Sequence, residues 1–275
     1  MEKDRALYAD VMVAKHPVPA RAAGLYCFLI RCFTFQSLNP RSLKQTQSGR
    51  QTRMPRHLIL IPTEMERLGL EPMQAAATAR GCRVELCGFG PVAAAARTAQ
   101  LIAEHKPERV LLVGIAGRLD DRLAIGNAYR FDRVACYGIG AGSGSDFVPA
   151  ATLGWQQWPG DADATSDQTG SQIGDVISCA ASGAGGGQAD LLLTVCAAST
   201  NAEDVRLRRQ VFPAAVAEDM EGFAVALACR LRGVPFDIVR GISNAAGDRD
   251  KSHWHMTAAR EAAGRLALQI MAEAS

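Results

Sequence analysis

The sequence predicts a single α/β domain built on a largely parallel, covered sheet, and three observations predict it. Short apolar runs of strand length alternate with helical patterns from Leu58 to Asn244, the order that buries a parallel sheet between helices. Glycines punctuate the ends of two of these runs, at Gly88-Phe89-Gly90 and at Gly114-Ile115-Ala116-Gly117. An acid-rich stretch, Glu218-Asp219-Met220-Glu221, leads into an apolar helix, and the strand after it delivers Ser243-Asn244 at its C-terminal end. Such strand ends are where open α/β sheets place their ligands.

The elements follow in order. Residues 58–61 form a short apolar strand, broken by Pro62-Thr63-Glu64-Met65-Glu66 with its two carboxylates. A helix is expected over 72–80 and an alternating strand over 83–87. The glycine turn at 88–91 then opens an Ala-rich helix over 92–104. Residues 109–113 read as a buried strand closed by the turn at 114–117, and 129–136 as a strand of mixed character. Residues 138–190 are rich in Gly, Ser, Ala and Asp around Trp155 and Trp158, the composition of a long surface excursion. A central strand over 190–198 and a polar helix over 202–211 follow; Arg206, Arg208 and Arg209 read as the solvated face of that helix. Asp219 can cap the next helix, with Glu221 in its first turn, where the positive end of the dipole favours anions. Arg230, Arg232, Gly233 and Pro235 end it, and residues 236–244 form a buried strand.

At 275 residues the chain is long enough for one large domain or two small ones. Charge is uneven. Residues 1–53 carry nine Lys/Arg against three Asp/Glu, whereas the remainder carries 21 against 25. The body is mildly acidic, so no nucleic-acid partner is expected. The apolar run at 24–30 is cut by Arg31, too short to cross a bilayer and without the cleavage site of a signal peptide. A transit-like peptide fits the composition of 1–53, and so does a segment absent from the mature protein, since Met54-Pro55-Arg56 leads straight into the first strand. The expectation is a basic N-terminal extension over 1–53, disordered or not native, and one domain over 54–275. Eight cysteines without C-x-x-C spacing, five of them in apolar segments, fit a reduced, cytoplasmic protein.

Several motifs compete for the chemistry. Gly88-Phe89-Gly90-Pro91-Val92-Ala93 fits the dinucleotide fingerprint, but the next strand ends without the acid that a ribose needs. Close helix–strand packing beside a pocket suits these glycines better. Gly241-Ile242-Ser243-Asn244-Ala245 lacks the last glycine of a nucleophile elbow. His253-Trp254-His255 has no third metal ligand beside it. What remains is a set of carboxylates and an amide near strand ends: Glu64, Glu66, Glu221, Asn244, Asp248 and Asp250. Paired carboxylates suit cleavage at an acetal-like carbon, one activating water and another binding hydroxyls as positive charge develops.

The segments Gly88 to Ala94, Gly114-Ile115-Ala116-Gly117, Asp219-Met220-Glu221-Gly222 and Arg240-Gly241-Ile242-Ser243-Asn244 stand in the order seen in the nucleoside phosphorylase/nucleosidase superfamily. The resemblance spans about residues 57–270 and is nearest to the futalosine hydrolase branch, through 239–254 with Gly247-Asp248-Arg249-Asp250. It implies a three-layer phosphorylase/hydrolase-like fold, with a central mixed, largely parallel sheet flanked by helices. It implies hydrolysis of the N-glycosidic bond of a purine nucleoside, futalosine giving dehypoxanthine futalosine and hypoxanthine in menaquinone biosynthesis. The alternatives are a methylthioadenosine/adenosylhomocysteine-type nucleosidase or a phosphorylase, a NAD-binding oxidoreductase, and a nucleoside-binding protein without turnover. By the same resemblance Glu66 or Glu64 activates water, Glu221 binds the ribose hydroxyls and Met220 lies against the nucleoside. Gly90, Gly117 and Ser243 line the substrate site, and Asn244 faces the purine. Asn244 stands where related nucleosidases have an Asp, and its amide suits a 6-oxopurine; full protonation of the base would fall to Asp248 or Asp250. A phosphorylase needs cations around its phosphate, and Arg118 is the candidate that the glycine segments offer. No metal or cofactor is implied; the partners implied are a nucleoside, water and a second copy in a homo-oligomer, with no membrane.

Overall fold

The computed structural model describes residues 57–162, 171–180 and 188–273. The N-terminal extension lies outside the described residues, as does part of the 138–190 excursion. Strand β1 (His57–Ile61) is buried along its whole length. A one-turn helix, α1 (Glu64–Arg67), follows, then α2 (Glu71–Ala79), β2 (Arg83–Leu86) and α3 (Gly90–His105). Next come β3 (Arg109–Arg118) and β4 (Ala128–Cys136). The hairpin β5 (Gly140–Ala141) and β6 (Val148–Pro149) leads to β7 (Val176–Ser178) and β8 (Gln188–Thr194). The chain closes with α4 (Ala202–Val211), β9 (Ala215–Asp219), α5 (Gly222–Leu231), β10 (Phe236–Ala245) and α6 (Met256–Glu273).

Eight strands form one mixed sheet, seven of them in two parallel blocks and β7 antiparallel on β4. β2, β1, β3 and β10 run together, β4, β8 and β9 run together, and the blocks meet antiparallel at β10–β4 and at β3–β9. Because β3 pairs with β1, β10 and β9, the sheet curls until the C-terminal ends of β3 and β9 meet, Gly117 opposite Glu218. That meeting brings the ends of both blocks to one place.

Helices α3 and α5 bury Ala94, Leu101, Phe223 and Val225 against one face, with Leu58, Leu112 and Ile238 of the strands. Helices α2 and α6 bury Met73, Ala77, Ala263 and Ile270 against the other, with Ile59, Leu111 and Val239. Alternate residues of single strands thus serve opposite layers, and the architecture is α/β/α in three layers.

The structure departs from the sequence expectations at several elements. Gly114–Gly117 is no turn, because β3 continues through it to Arg118. Residues 215–219 form a strand and α6 an 18-residue helix, neither foreseen from the sequence. The excursion holds β5, β6 and β7, and buried Asp175 ties it together by accepting from the Ala151 N–H and from Gln157. Arg208 is buried rather than solvated, while Cys196 is exposed rather than packed.

Candidate active site

A cavity of about 320 Å³ opens at the C-terminal ends of β1, β3, β8, β9 and β10. Four carboxylates reach its wall: Glu66, Glu218, Asp219 and Glu221, all buried. One cation, Arg240, organises two of them, Asp219 and Glu221. Arg240 sits midway along the apolar strand β10 and is wholly buried. Its Nε and Nη2 donate to Asp219 Oδ2 at 3.0 and 2.5 Å, and Nη2 also reaches Glu221 Oε2 at 3.4 Å. Asp219 further accepts from the Thr194 hydroxyl at 2.7 Å and from the Gly222 N–H at 2.8 Å. Asp219 thus holds the guanidinium through Oδ2, which takes three donors, and leaves Glu221 to the cavity. The capping role expected of Asp219 is therefore real, since Gly222 begins α5.

Glu221 precedes that helix, outside the first turn where the sequence placed it. Its Oε1 accepts the Gly90 N–H at 3.0 Å. Gly90 takes φ +80° at the start of α3, a backbone state open to glycine. The first glycine pair thus aims an amide at a carboxylate, and Gly90 acts through that amide; Phe89 beside it is the residue lining the cavity. A dinucleotide phosphate would need the same helix N-terminus. Burial pushes the Glu221 carboxyl up to about 7; Arg240 and the Gly90 N–H pull against it, while Asp219 and Glu66 add to it.

Glu66 and Glu64 separate cleanly. Glu66 Oε1 accepts from the Ile115 N–H at 3.0 Å and Oε2 from the Thr63 hydroxyl at 2.8 Å, and Thr63 caps α1. Glu64 points to solvent, paired with Arg67 at 2.7 Å and half exposed. As a candidate for the water-activating acid Glu64 is corrected, because its place two residues before Glu66 on the helix carries its side chain out of the cavity. Gly114 makes room for what remains: a Cβ there would lie 2.1 Å from Arg240 Nη1 and 2.6 Å from Glu66 Oε1.

Asn244 lines the cavity after a register shift in β10, with its Oδ1 2.7 Å from Ser243 Oγ and its Nδ2 donating to the Ala245 carbonyl at 2.8 Å. Met220, Gly117 and Ser243 line it too. Asp248 and Asp250 do not reach it. Asp248 holds His253 at 2.7 Å and Asp250 accepts from the Ser252 N–H and hydroxyl, contacts that keep both carboxyls below their usual range. They are corrected as proton donors to a base. Arg118 pairs with Asp121 and the Leu123 carbonyl, likewise away from the cavity.

Sequence reasoning missed Arg240, Glu218 and Arg208 as parts of this assembly. Arg208 donates to Glu218, to Ser199 Oγ and to the Ala197 carbonyl, and Ser199 donates to Glu218 through its N–H at 2.8 Å and its hydroxyl at 2.7 Å. The signal for Arg240 was present: a cation inside an eight-residue buried run needs buried acids.

The chain resembles known proteins in sequence and in fold. The family model described as the phosphorylase superfamily matches residues 77–273. Futalosine hydrolase of Streptomyces coelicolor is 30% identical over 189 residues, covering 66% of this chain and 76% of the relative. Futalosine hydrolase of Thermus thermophilus is 32% identical over 228 residues, covering 78% and 95%. Among solved structures, the 5′-methylthioadenosine/S-adenosylhomocysteine nucleosidase of Neisseria meningitidis in complex with methylthio-immucillin-A superposes with a TM-score of 0.60. It is 19% identical, over 79% of this chain and 99% of that one, a likeness of fold. With a family model matched over more than two thirds of its length, the chain belongs to the phosphorylase superfamily.

Proposed function

We propose that the protein is a purine nucleosidase that hydrolyses the N-glycosidic bond of futalosine, releasing hypoxanthine. The observation that carries this reading is the pair Glu66 and Glu221. They are buried carboxylates in one cavity wall, each fixed by a backbone N–H from a different element. Glu221 accepts the ribose hydroxyls and Met220 packs against the sugar, while Asn244 faces the base. Glu66 takes a proton from water as its oxygen bonds to C1′. The C1′–N9 electrons leave with the base, which is protonated in turn, so water is divided between sugar and purine. Glu221 contributes most once C1′ carries positive charge, because its hydrogen bonds strengthen as the oxocarbenium ion forms.

Water, rather than phosphate, is the acceptor in this reading. The cavity wall is acidic, and Arg118 is engaged elsewhere. Two relatives named futalosine hydrolase, 30% and 32% identical to this chain, support futalosine over methylthioadenosine as its substrate. The test is purine release from futalosine, aminofutalosine, methylthioadenosine and inosine, with and without phosphate. Hypoxanthine from futalosine at a rate indifferent to phosphate is expected; a phosphate requirement or a preference for methylthioadenosine would replace the reading.

A homo-oligomer belongs to the same proposal, on the exposed apolar side chains Leu68, Phe89 and Val92; sedimentation as a monomer would remove it. No helix among the described residues is long and apolar enough to cross a membrane. We place the enzyme in the cytoplasm, and fractionation tests that.

A further inference from the structure

Helix α1 is a single turn, and the carbonyls of Thr63, Glu64, Glu66 and Arg67 accept the backbone N–H groups of Arg67, Leu68, Gly69 and Leu70. The Met65 carbonyl is passed over. By helical spacing its donor would be the Gly69 N–H, which goes to Glu66 instead at 3.2 Å. A donor from another element takes that place: Arg260 of α6 reaches the Met65 carbonyl through Nη1 at 2.6 Å. This carbonyl belongs to the same rigid peptide as the Glu66 N–H, which donates to the Thr63 hydroxyl oxygen at 3.2 Å. Both ends of the Met65–Glu66 peptide are therefore held, one from within the turn and one from α6.

Two glycines allow that reach. At Gly69 a Cβ would lie 2.5 Å from Arg260 Nε and 2.8 Å from its Cδ, so the arginine passes where a side chain would stand. At Gly241 a Cβ would strike the Ala259 carbonyl, so α6 lies directly on β10 beside Arg260. The His255 N–H donates to the Ser243 carbonyl at 2.7 Å and fixes the start of α6 to the same strand. Arg260 Nε is buried and without a partner among the described residues, which leaves the Met65 carbonyl as the acceptor that holds the guanidinium.

We propose that Arg260 is a positioning residue of the hydrolysis, tying the Met65–Glu66 peptide to α6 and so setting where the Glu66 carboxylate meets water. The inference rests on the nucleosidase reading and adds to it a residue outside the cavity wall. The Met65 side chain is 54% exposed, so its own packing does little to fix this peptide. A charged donor on its carbonyl is a stronger restraint than a neutral one. Through Gly241 and Ser243 the same helix is seated on the strand that presents Asn244. Arg260 thus keeps the water-activating acid in fixed relation to the amide that faces the base.

The test measures kcat and KM for hypoxanthine release from futalosine, well below the Tm of each variant. Arg260→Met keeps the apolar stem and removes the donor, Arg260→Lys keeps one donor, and Gly69→Ala displaces the guanidinium without altering it. Arg260→Met and Gly69→Ala should each lower kcat by roughly tenfold, short of the hundredfold or so that a 1 Å misplacement can cost. KM should stay within about twofold, and Arg260→Lys should recover part of kcat. In a Glu66→Gln background Arg260→Met should cost less than about twofold more, because no base is left to position. Wild-type turnover in both Arg260→Met and Gly69→Ala would overturn the proposal and leave the nucleosidase reading intact. So would a full tenfold loss from Arg260→Met on top of Glu66→Gln, which marks a role independent of that acid. A wild-type enzyme that releases no hypoxanthine from futalosine would instead overturn the nucleosidase reading, and this proposal with it.

Discussion

The backbone N–H of Gly90 donates to Oε1 of Glu221 at 3.0 Å, joining residues 131 positions apart. The contact fixes one oxygen of a buried carboxylate from the start of α3, while Arg240 approaches the other. Glu221 is thus oriented before any ligand arrives, which is where electrostatic catalysis gains most.

Glu221→Gln should cost about a hundredfold in kcat and little in KM, because the charge matters most at the transition state. Near-native turnover in the variant would remove Glu221 from the chemistry.

The same residue sets a pH dependence. Burial raises the Glu221 carboxyl from 4.5 to about 7, so between those values the native state keeps a proton that the unfolded chain releases. Its stabilisation is present below pH 4.5 and is lost as pH rises through 7, on the order of 3 kcal/mol. Denaturant titrations across that window should show this loss in the wild type and a flatter profile in Glu221→Gln. The ionised form binds the ribose, so kcat/KM should rise with pH through about 7 in the free enzyme; a flat profile would contradict the assignment.

Glu66 and Glu64 give a paired comparison two residues apart. Glu66→Gln should lower kcat by a hundredfold or more, the usual scale for a lost general base. Glu64→Gln removes only an exposed ion pair with Arg67 and should stay within about twofold and 0.5 kcal/mol. Equal losses would mean that α1 turns differently in the working enzyme.

Arg208→Met should destabilise by about 3–5 kcal/mol, since it strands the buried Glu218 without a counter-ion. Adding Glu218→Gln should recover part of that loss, and thermal unfolding of both variants reads it. An additive double variant would show that the pair is not coupled.

The sequence carried the layer order because apolar runs and helical patterns alternate by length. It carried the acidic stretch because three carboxylates crowd four positions before an apolar helix. It did not carry β9, because Ala215–Asp219 looks polar at its end; those acids are buried only because Arg208 and Arg240 arrive from α4 and β10. Nor did spacing separate Glu64 from Glu66, a choice made by the Ile115 N–H on β3. Long-range pairing settled both, and local pattern has no access to it.

Asn244 remains the residue on which the choice of base turns. Its Nδ2 donates to the Ala245 carbonyl and its Oδ1 faces the Ser243 hydroxyl, so the amide is held from behind with capacity left toward the cavity. Asn244→Asp sets a carboxylate against the Ala245 carbonyl and against O6 of a hypoxanthine, acceptor facing acceptor in both places. Facing the exocyclic amine of an adenine, the same carboxylate accepts a charge-assisted bond. A mispaired buried polar group costs about 1–3 kcal/mol. The ratio of kcat/KM for futalosine over aminofutalosine should therefore fall by roughly tenfold or more in the variant. The measurement is that ratio in both enzymes, with stability followed alongside because the lost bond to Ala245 weakens the end of β10. An unchanged ratio would show that Asn244 does not read position 6, and the preference for hypoxanthine would need another donor in the wall.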